Sequence, residues 1–310
     1  MIFVSSVQFS SNRYVVGATN GNRTRDLYLT KVALYRLSYS SELFTNFIIC
    51  VTIAFVNIHW RFFYRGENMA VIEHKFEIGF RDVGKSNKLT NKALLGFLED
   101  IAGKHSNMAG YGLNNIEKTG VTWVLLNWKI KVFNNPLYGE TVFVKTWARD
   151  TAKFYTYRDF EVYNKNNELI AIATSKWALL DAKTMSLIKI PNEVIAPYEI
   201  ETKKVFGEEP EPNKIMIPNE ISSVSNYIVQ RKDIDINGHV HNVTYMDIAY
   251  EVLPEEVYNN IDCSSFEIMY KKETKLGETV KCFYSKIDNT HYIVMKTEDE
   301  KAVHCIVKLA

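Results

Sequence analysis

Cysteine is scarce in this 310-residue chain. Cys50, Cys263, Cys282 and Cys305 are the four, and no two stand in a CxxC pair or at a zinc-like spacing. That argues against a disulfide scaffold or a cysteine-built zinc site, and it fits the reducing cytoplasm. Net charge is scarce as well. With 37 basic residues against 36 acidic ones, no global field draws the chain to nucleic acid or an anionic membrane. The seven histidines are scattered, His239 and His241 excepted. Long apolar runs are nearly absent too. The exception is Leu43 to Trp60, interrupted by Asn46 and Asn57 and followed by Arg61 and Arg65. A spanning helix needs about 20 apolar residues, so 43–60 is a borderline anchor, and it starts too late for an ordinary signal peptide.

What is present is enough hydrophobic content, 46%, for two modest cores, with aromatics at 13% favouring sheet faces and apolar pockets. Residues 1–68 differ in character from the rest. The stretch NGNRTRDLYLTKVALYRLSYSSE resembles the peptide obtained when a transfer-RNA gene is translated. Met69, by contrast, opens a coherent pattern. The expectation is an over-extended gene start in 1–68 rather than a membrane anchor.

From Met69 a short alternating strand, Phe76 to Phe80, leads through a polar turn to a helix. Thr90 or Asn91 serves as its cap, and Leu94, Leu98, Ile101 and Ala102 fall at helical spacing before Gly110 and Gly112 end it. Strands follow at Trp123–Phe133, Thr141–Arg149, Phe154–Tyr163 and Glu168–Asp181. A long helix followed by antiparallel strands is the element order of a hotdog fold, so 69–205 reads as one such domain. Residues 206–220, with Pro210, Pro212, Pro218 and an acidic cluster, read as an extended linker. The order then restarts over 221–310. A strand spans Tyr227–Lys232, and a helix carries Val243, Met246, Ala249, Tyr250 and Leu253 up to Pro254. Strands near Phe266–Lys272, Thr279–Lys286, His291–Thr297 and Ala302–Lys308 complete it. The fold class is α+β, two tandem hotdogs, each with a helix wrapped by an antiparallel sheet.

The halves register without gaps over turn and helix. Asp82 falls on Asp233, Asn91 on Asn242 and Asp100 on Glu251, and Gly-Glu-Thr-Val occurs at both Gly139–Val142 and Gly277–Val280. Where the second copy has Asp235, Asn237 and His239, the first has Gly84, Ser86 and Lys88, and Glu273 falls opposite Asn135. Gly84 and Ser86 satisfy a turn, so the second copy carries more than a turn requires. His239 suits a general base, Asn237 an uncharged donor, and free N–H groups at the following helix start an oxyanion site. Together they suit attack of water on an acyl carbonyl.

The stretch Asp233-Ile-Asp-Ile-Asn-Gly-His-Val-His-Asn242 resembles the Asp-x-Asn-x-His signature of the acyl-(acyl-carrier-protein) thioesterases of plant plastids and bacteria. Tyr270-Lys-Lys-Glu-Thr274 resembles that family's Tyr-Arg-Arg-Glu-Cys, and Ala173-Thr-Ser-Lys-Trp177 is a third match, followed by Lys189-Ile-Pro-Asn-Glu-Val194. The resemblance implies Asp235, Asn237, His239 and Glu273 as the catalytic set, no cofactor, and acyl carrier protein and a fatty acyl chain as partners. Thr274, Leu94 and Trp123 are candidate substrate contacts. Thr274 replaces the family's Cys, and Cys263 is not at the matching place, so direct hydrolysis by activated water is expected without an acyl-enzyme. Acyl-CoA hydrolysis and non-catalytic acyl binding are the competing readings.

Simpler roles compete at each position. Asp235 and Asn237 are ordinary turn formers, Asn242 is expected as a helix cap, and Glu273 alone would be a solvated strand end. His239 and His241 with a carboxylate lack an evident third ligand for zinc. Their alternation turns one inward and the other outward. Lys271, Lys272 and Lys275 are either a solvated face or a match for an acidic carrier. A chain expressed from Met69 is expected to be soluble and as active as the full chain, which purification and assay of the two side by side will check.

Overall fold

The computed structural model describes residues 3–10, 13–20, 23–30 and 69–310, with 262 excepted. Strands β1 (Phe3–Ser10), β2 (Arg13–Asn20) and β3 (Arg23–Thr30) pair antiparallel in a sheet of their own. The Leu43–Trp60 run lies outside the described residues. No helix among the described residues is long and apolar enough to cross a membrane.

From Met69 onward the chain builds a single ten-stranded antiparallel sheet. The first half supplies β4 (Ile72–Glu77), helix α1 (Asn91–Met108), β5 (Val121–Val132), β6 (Thr141–Ala152), β7 (Tyr155–Asn164) and β8 (Leu169–Asp181). The second supplies β9 (Ser223–Ile228), α2 (Thr244–Glu251), α3 (Glu255–Asn260), β10 (Ser265–Tyr270), β11 (Thr279–Ile287), β12 (Thr290–Thr297) and β13 (Val303–Leu309). The strand order β4-β6-β7-β8-β5-β10-β13-β12-β11-β9 reads the same from both ends once the halves are laid on each other. The outermost strands, β4 and β9, alternate exposed residues with half-buried ones or, at Ile72, a buried one, as edges with one solvated face do, whereas β8 is buried continuously from Ile170 to Ser175. At the centre β5 pairs with β10, Asn127 to Met269 through Lys131 to Ser265.

One apolar core runs across that seam. It takes Leu94, Leu95, Leu98 and Ile101 from α1, Met246, Ile248 and Ala249 from α2, and Trp128, Ile130, Phe266 and Ile268 from the two central strands. Thr90 caps α1 by accepting the Ala93 N–H at 3.2 Å. Pro254 cannot continue a helix, so α2 stops after 8 residues where α1 runs for 18. The helices lie antiparallel. Asn91 Nδ2 donates to Tyr250 Oη at 2.8 Å and Lys92 pairs with Asp247, while the middle of α1 reaches the loop that leads into α2.

Both strands that enter the helices end earlier than the sequence suggests. β4 stops at Glu77 and β9 at Ile228, not at Phe80 and Lys232. The cause is the same in each half. The Asp82 and Asp233 carboxylates each take a backbone N–H three residues back, from Gly79 and Gln230 at 2.8 Å, and turn the chain into a short 3-10 element. Residues 206–220 carry no regular structure but are fastened to the sheet. Glu209 meets Lys129 at 2.8 Å, Glu211 meets Arg149 at 2.5 Å, and Ile215 packs with Met269, Phe283, Val294 and Ile306.

Because the core is shared, the two halves should unfold together. Phe266→Ala removes a fully buried ring at the seam and is expected to cost about 3–5 kcal/mol. Calorimetry should show a single transition from 69–310, shifted as a whole.

Candidate active site

The turn before each helix is built twice on one backbone plan. Gly84 N–H bonds to Lys88 O at 3.1 Å, and Asp235 N–H to His239 O at 2.8 Å. Thr90 N–H bonds to Asp82 O at 2.9 Å, and His241 N–H to Asp233 O at 2.8 Å. The position with positive φ is Asn87 in one copy and Gly238 in the other, at 59° and 79°, as such a turn requires. Each turn is also tied to the segment before the Gly-Glu-Thr-Val repeat. Leu89 N–H takes Pro136 O and Val240 N–H takes Thr274 O, both at 2.8 Å. The Glu140 and Glu278 carboxylates receive the backbone N–H of Leu137 and Lys275 at 2.8 and 3.0 Å. The duplication read from the sequence is therefore a duplication of hydrogen bonds.

On that common plan the second copy carries a polar cluster. Asp235 Oδ1 accepts the backbone N–H of Asn237 at 2.8 Å and of His239 at 3.2 Å, while its Oδ2 accepts Asn237 Nδ2 at 3.1 Å. The carboxylate thus clamps both the loop and the carboxamide. His239 pairs in register with Lys275, and that places its Nε2 3.3 Å from Glu273 Oε2. The two side chains are 30% and 52% exposed, so water and substrate reach them. Lys88 and Asn135 occupy the equivalent places in the first copy.

Two expectations need correction. Asn242 does not cap α2; the N-cap is Val243, without a side-chain bond. The chain turns helical through short-range backbone bonds, with the N–H groups of Thr244, Tyr245 and Met246 on the oxygens of His241, Asn242 and Val243 at 2.9, 3.3 and 3.1 Å. Those same bonds use the donors expected to form an oxyanion site. Asn237 and the helix dipole remain to meet developing negative charge.

The remaining candidates sit elsewhere. Thr274 is fully buried, and its hydroxyl bonds Tyr245 Oη at 2.8 Å, fixing the loop to α2. Leu94 faces the main core. Trp123 lies on β5 beyond the residues that pair with β10 and bonds Tyr198 Oη through Nε1 at 3.1 Å. It lines a small cavity with Trp177, Tyr157 and the buried Arg158, whose guanidinium donates to His105 Nδ1 at 2.8 Å. The described cysteines are all buried. Burial raises the Cys263 thiol to about 11 and the Cys282 thiol to about 12, which leaves little thiolate at neutral pH.

Alternation alone would turn one of His239 and His241 inward and the other outward, but both stay partly exposed and each finds a carboxyl group. His241 Nε2 lies 3.6 Å from Glu99 Oε2 on α1. Burial above all, then the charges of Asp100 and Asp235, raises Glu99 to about 8. Glu99 is the member of this neighbourhood that sequence reasoning missed. Its signal was position: four residues after Leu95 and three before Ala102, it borders the buried stripe of α1.

Comparison with known proteins gives the family and the fold. Residues 69–198 match the acyl-ACP thioesterase N-terminal domain and residues 217–308 the C-terminal domain. Oleoyl-acyl carrier protein thioesterase 1 of Arabidopsis thaliana is 24% identical over 67% of this chain and 62% of its own length. The dodecanoyl-[acyl-carrier-protein] hydrolase of Cinnamomum camphora is 26% identical over 70% and 59%. The chain thus spans about three fifths of these plant relatives. A solved acyl-ACP thioesterase from Bacteroides thetaiotaomicron has the same fold, with TM-score 0.70 and 24% identity over 78% of this chain and 99% of that one. The 12:0-ACP thioesterase of Umbellularia californica follows with TM-score 0.69 and 21% identity, over 78% and 97%.

Asp235→Ala should release the loop while leaving the sheet intact. Amide exchange at Asn237 and His239 is expected to speed up about ten- to a hundredfold, with β10 and β13 unchanged, as mass spectrometry of exchanged peptides will show.

Proposed function

The chain belongs to the acyl-ACP thioesterase family, and we propose that it hydrolyses fatty acyl thioesters of acyl carrier protein to free fatty acid and carrier protein. The observation that carries this reading is the 3.3 Å contact of His239 with Glu273, on a loop whose duplicate keeps the turn and lacks the pair. His239 and Glu273 draw a proton from water, whose oxygen attacks the thioester carbon. Asn237 offers an amide hydrogen to the carbonyl oxygen as charge gathers there, and Asp235 keeps that amide in place. The carbon–sulfur bond then breaks, and the proton taken from water passes to the leaving thiolate.

Water is the nucleophile in this reading. The thiols of Cys263 and Cys282 are buried and protonated, and the Thr274 hydroxyl is enclosed against Tyr245. Lys271, Lys272 and Lys275 are exposed on either side of Glu273, which suits an acidic carrier protein delivering its acyl group there. The described cysteines, all unpaired, support a reducing cytoplasmic setting.

Purified protein should release free acid from acyl carrier protein across a series of chain lengths, with products identified by chromatography. His239→Ala and Glu273→Gln are each expected to lower kcat by about 10²- to 10⁴-fold with the circular dichroism spectrum unchanged. A His239→Ala variant of full activity would sink the site, and a strong preference for matched acyl-CoA would reverse the carrier. Labelled acyl substrate should leave no label on the denatured protein.

A further inference from the structure

Glu99 belongs to the half without the His–Glu pair, yet it faces the loop that has one. Its Oε2 lies 3.6 Å from His241 Nε2, and its Oε1 is enclosed with no hydrogen-bond partner among the described residues. The ionisable groups around it are Asp100 on its own helix, Asp235 and His241 on the loop, and Tyr270 on β10. No lysine or arginine pairs with it among the described residues. A carboxyl group so placed, with one oxygen enclosed and the charges of Asp100 and Asp235 acting on it, keeps its proton more readily than an ordinary carboxylate.

The duplication supplies a second observation. The register that lays Asp100 on Glu251 lays Glu99 on Tyr250. Tyr250 reaches across the seam in the opposite sense, its hydroxyl taking Asn91 Nδ2 at 2.8 Å at the end of the silent turn. Each helix therefore reaches the other half's turn from the same position. At the silent turn that reach is made by a neutral phenol, and at the turn bearing His239 by a carboxylic acid. The reach comes with the architecture, and the acid is specific to the side with the chemistry.

We propose that Glu99 is a positioning residue for the His239–Glu273 site, its neutral form keeping its proton, turning its O–H toward the His241 ring as a hydrogen-bond donor and leaving Asp235 to clamp Asn237 and His239, its ionised form repelling Asp235 and loosening that clamp. At 3.6 Å the pair lies just beyond hydrogen-bond range, so the donation asks for a closer approach of the two side chains. The inference rests on the proposed hydrolytic site and adds that the half without the pair governs its alkaline limit.

The test uses the full chain, an acyl-ACP substrate, and kcat and KM measured from pH 5.5 to 9.5. Wild type should lose about tenfold in kcat as Glu99 ionises on the alkaline side, with KM little changed. Glu99→Gln, which keeps a donor and cannot ionise, should stay within about threefold of wild type at neutral pH and lack that alkaline loss. Glu99→Ala should be about tenfold slower than wild type at neutral pH and lack the alkaline loss. Melting temperature gives an independent reading. Unfolded Glu99 ionises near 4.5 and folded Glu99 near 8, so the folded state holds more protons between them and loses stability as pH rises. Wild type should therefore melt progressively below Glu99→Gln as pH rises from 5 to 8. The same alkaline loss in wild type and Glu99→Gln, or wild-type kcat in Glu99→Ala, would overturn the proposal. His239→Ala separates the two levels: inactive in those events, it leaves the site standing, and active, it removes the site and Glu99's role together.

Discussion

The antiparallel pairing of β5 with β10 is the constraint on which the rest of the molecule depends. Five residue pairs along that seam turn two half-sheets into one and place α1 and α2 side by side on a common core. Because the halves meet as antiparallel copies, each helix passes the turn that precedes the other. Without the seam, Glu99 would have no His241 and Tyr250 no Asn91. The energetic basis is burial of apolar area, with Trp128, Phe266 and Ile268 fully enclosed at the join.

Duplication followed by divergence then accounts for the site. The backbone of each turn is satisfied by the same inventory of carbonyl and amide groups, so the turn folds whichever side chains it bears. Gly84, Ser86 and Lys88 are sufficient in one copy. In the other, Asp235 adds a clamp on the loop and on Asn237, and His239 faces Glu273, over the backbone plan that both copies share. The entry into each turn is held at the positions the copies share, where Asp82 and Asp233 take a backbone N–H three residues back.

The two halves also differ in helix length, and that difference has consequences. Pro254 stops α2 while α1 continues for 18 residues, about 27 Å of helix. The first half accordingly has the longer apolar stripe and the cavity beside Trp123, while the second has the His–Glu pair beside a short helix.

Much of this was legible in order along the chain. Strand and helix periodicity, the turn residues, the repeat of Gly-Glu-Thr-Val and the surplus of Asp235, Asn237, His239 and Glu273 over their counterparts all follow from local pattern and internal comparison. So does the absence of a cysteine after Glu273. Tertiary structure decided what local pattern cannot carry: which groups use up which hydrogen bonds, and which residues distant in sequence face each other. The helix-start donors before α2 are taken by backbone oxygens, Asn242 leaves the cap to Val243, and Thr274 is sealed by Tyr245. Glu99 meets His241 across 142 positions only because two half-sheets join at β5 and β10. Periodicity determines the face a residue presents, whereas the partner on that face depends on how the folded elements pack.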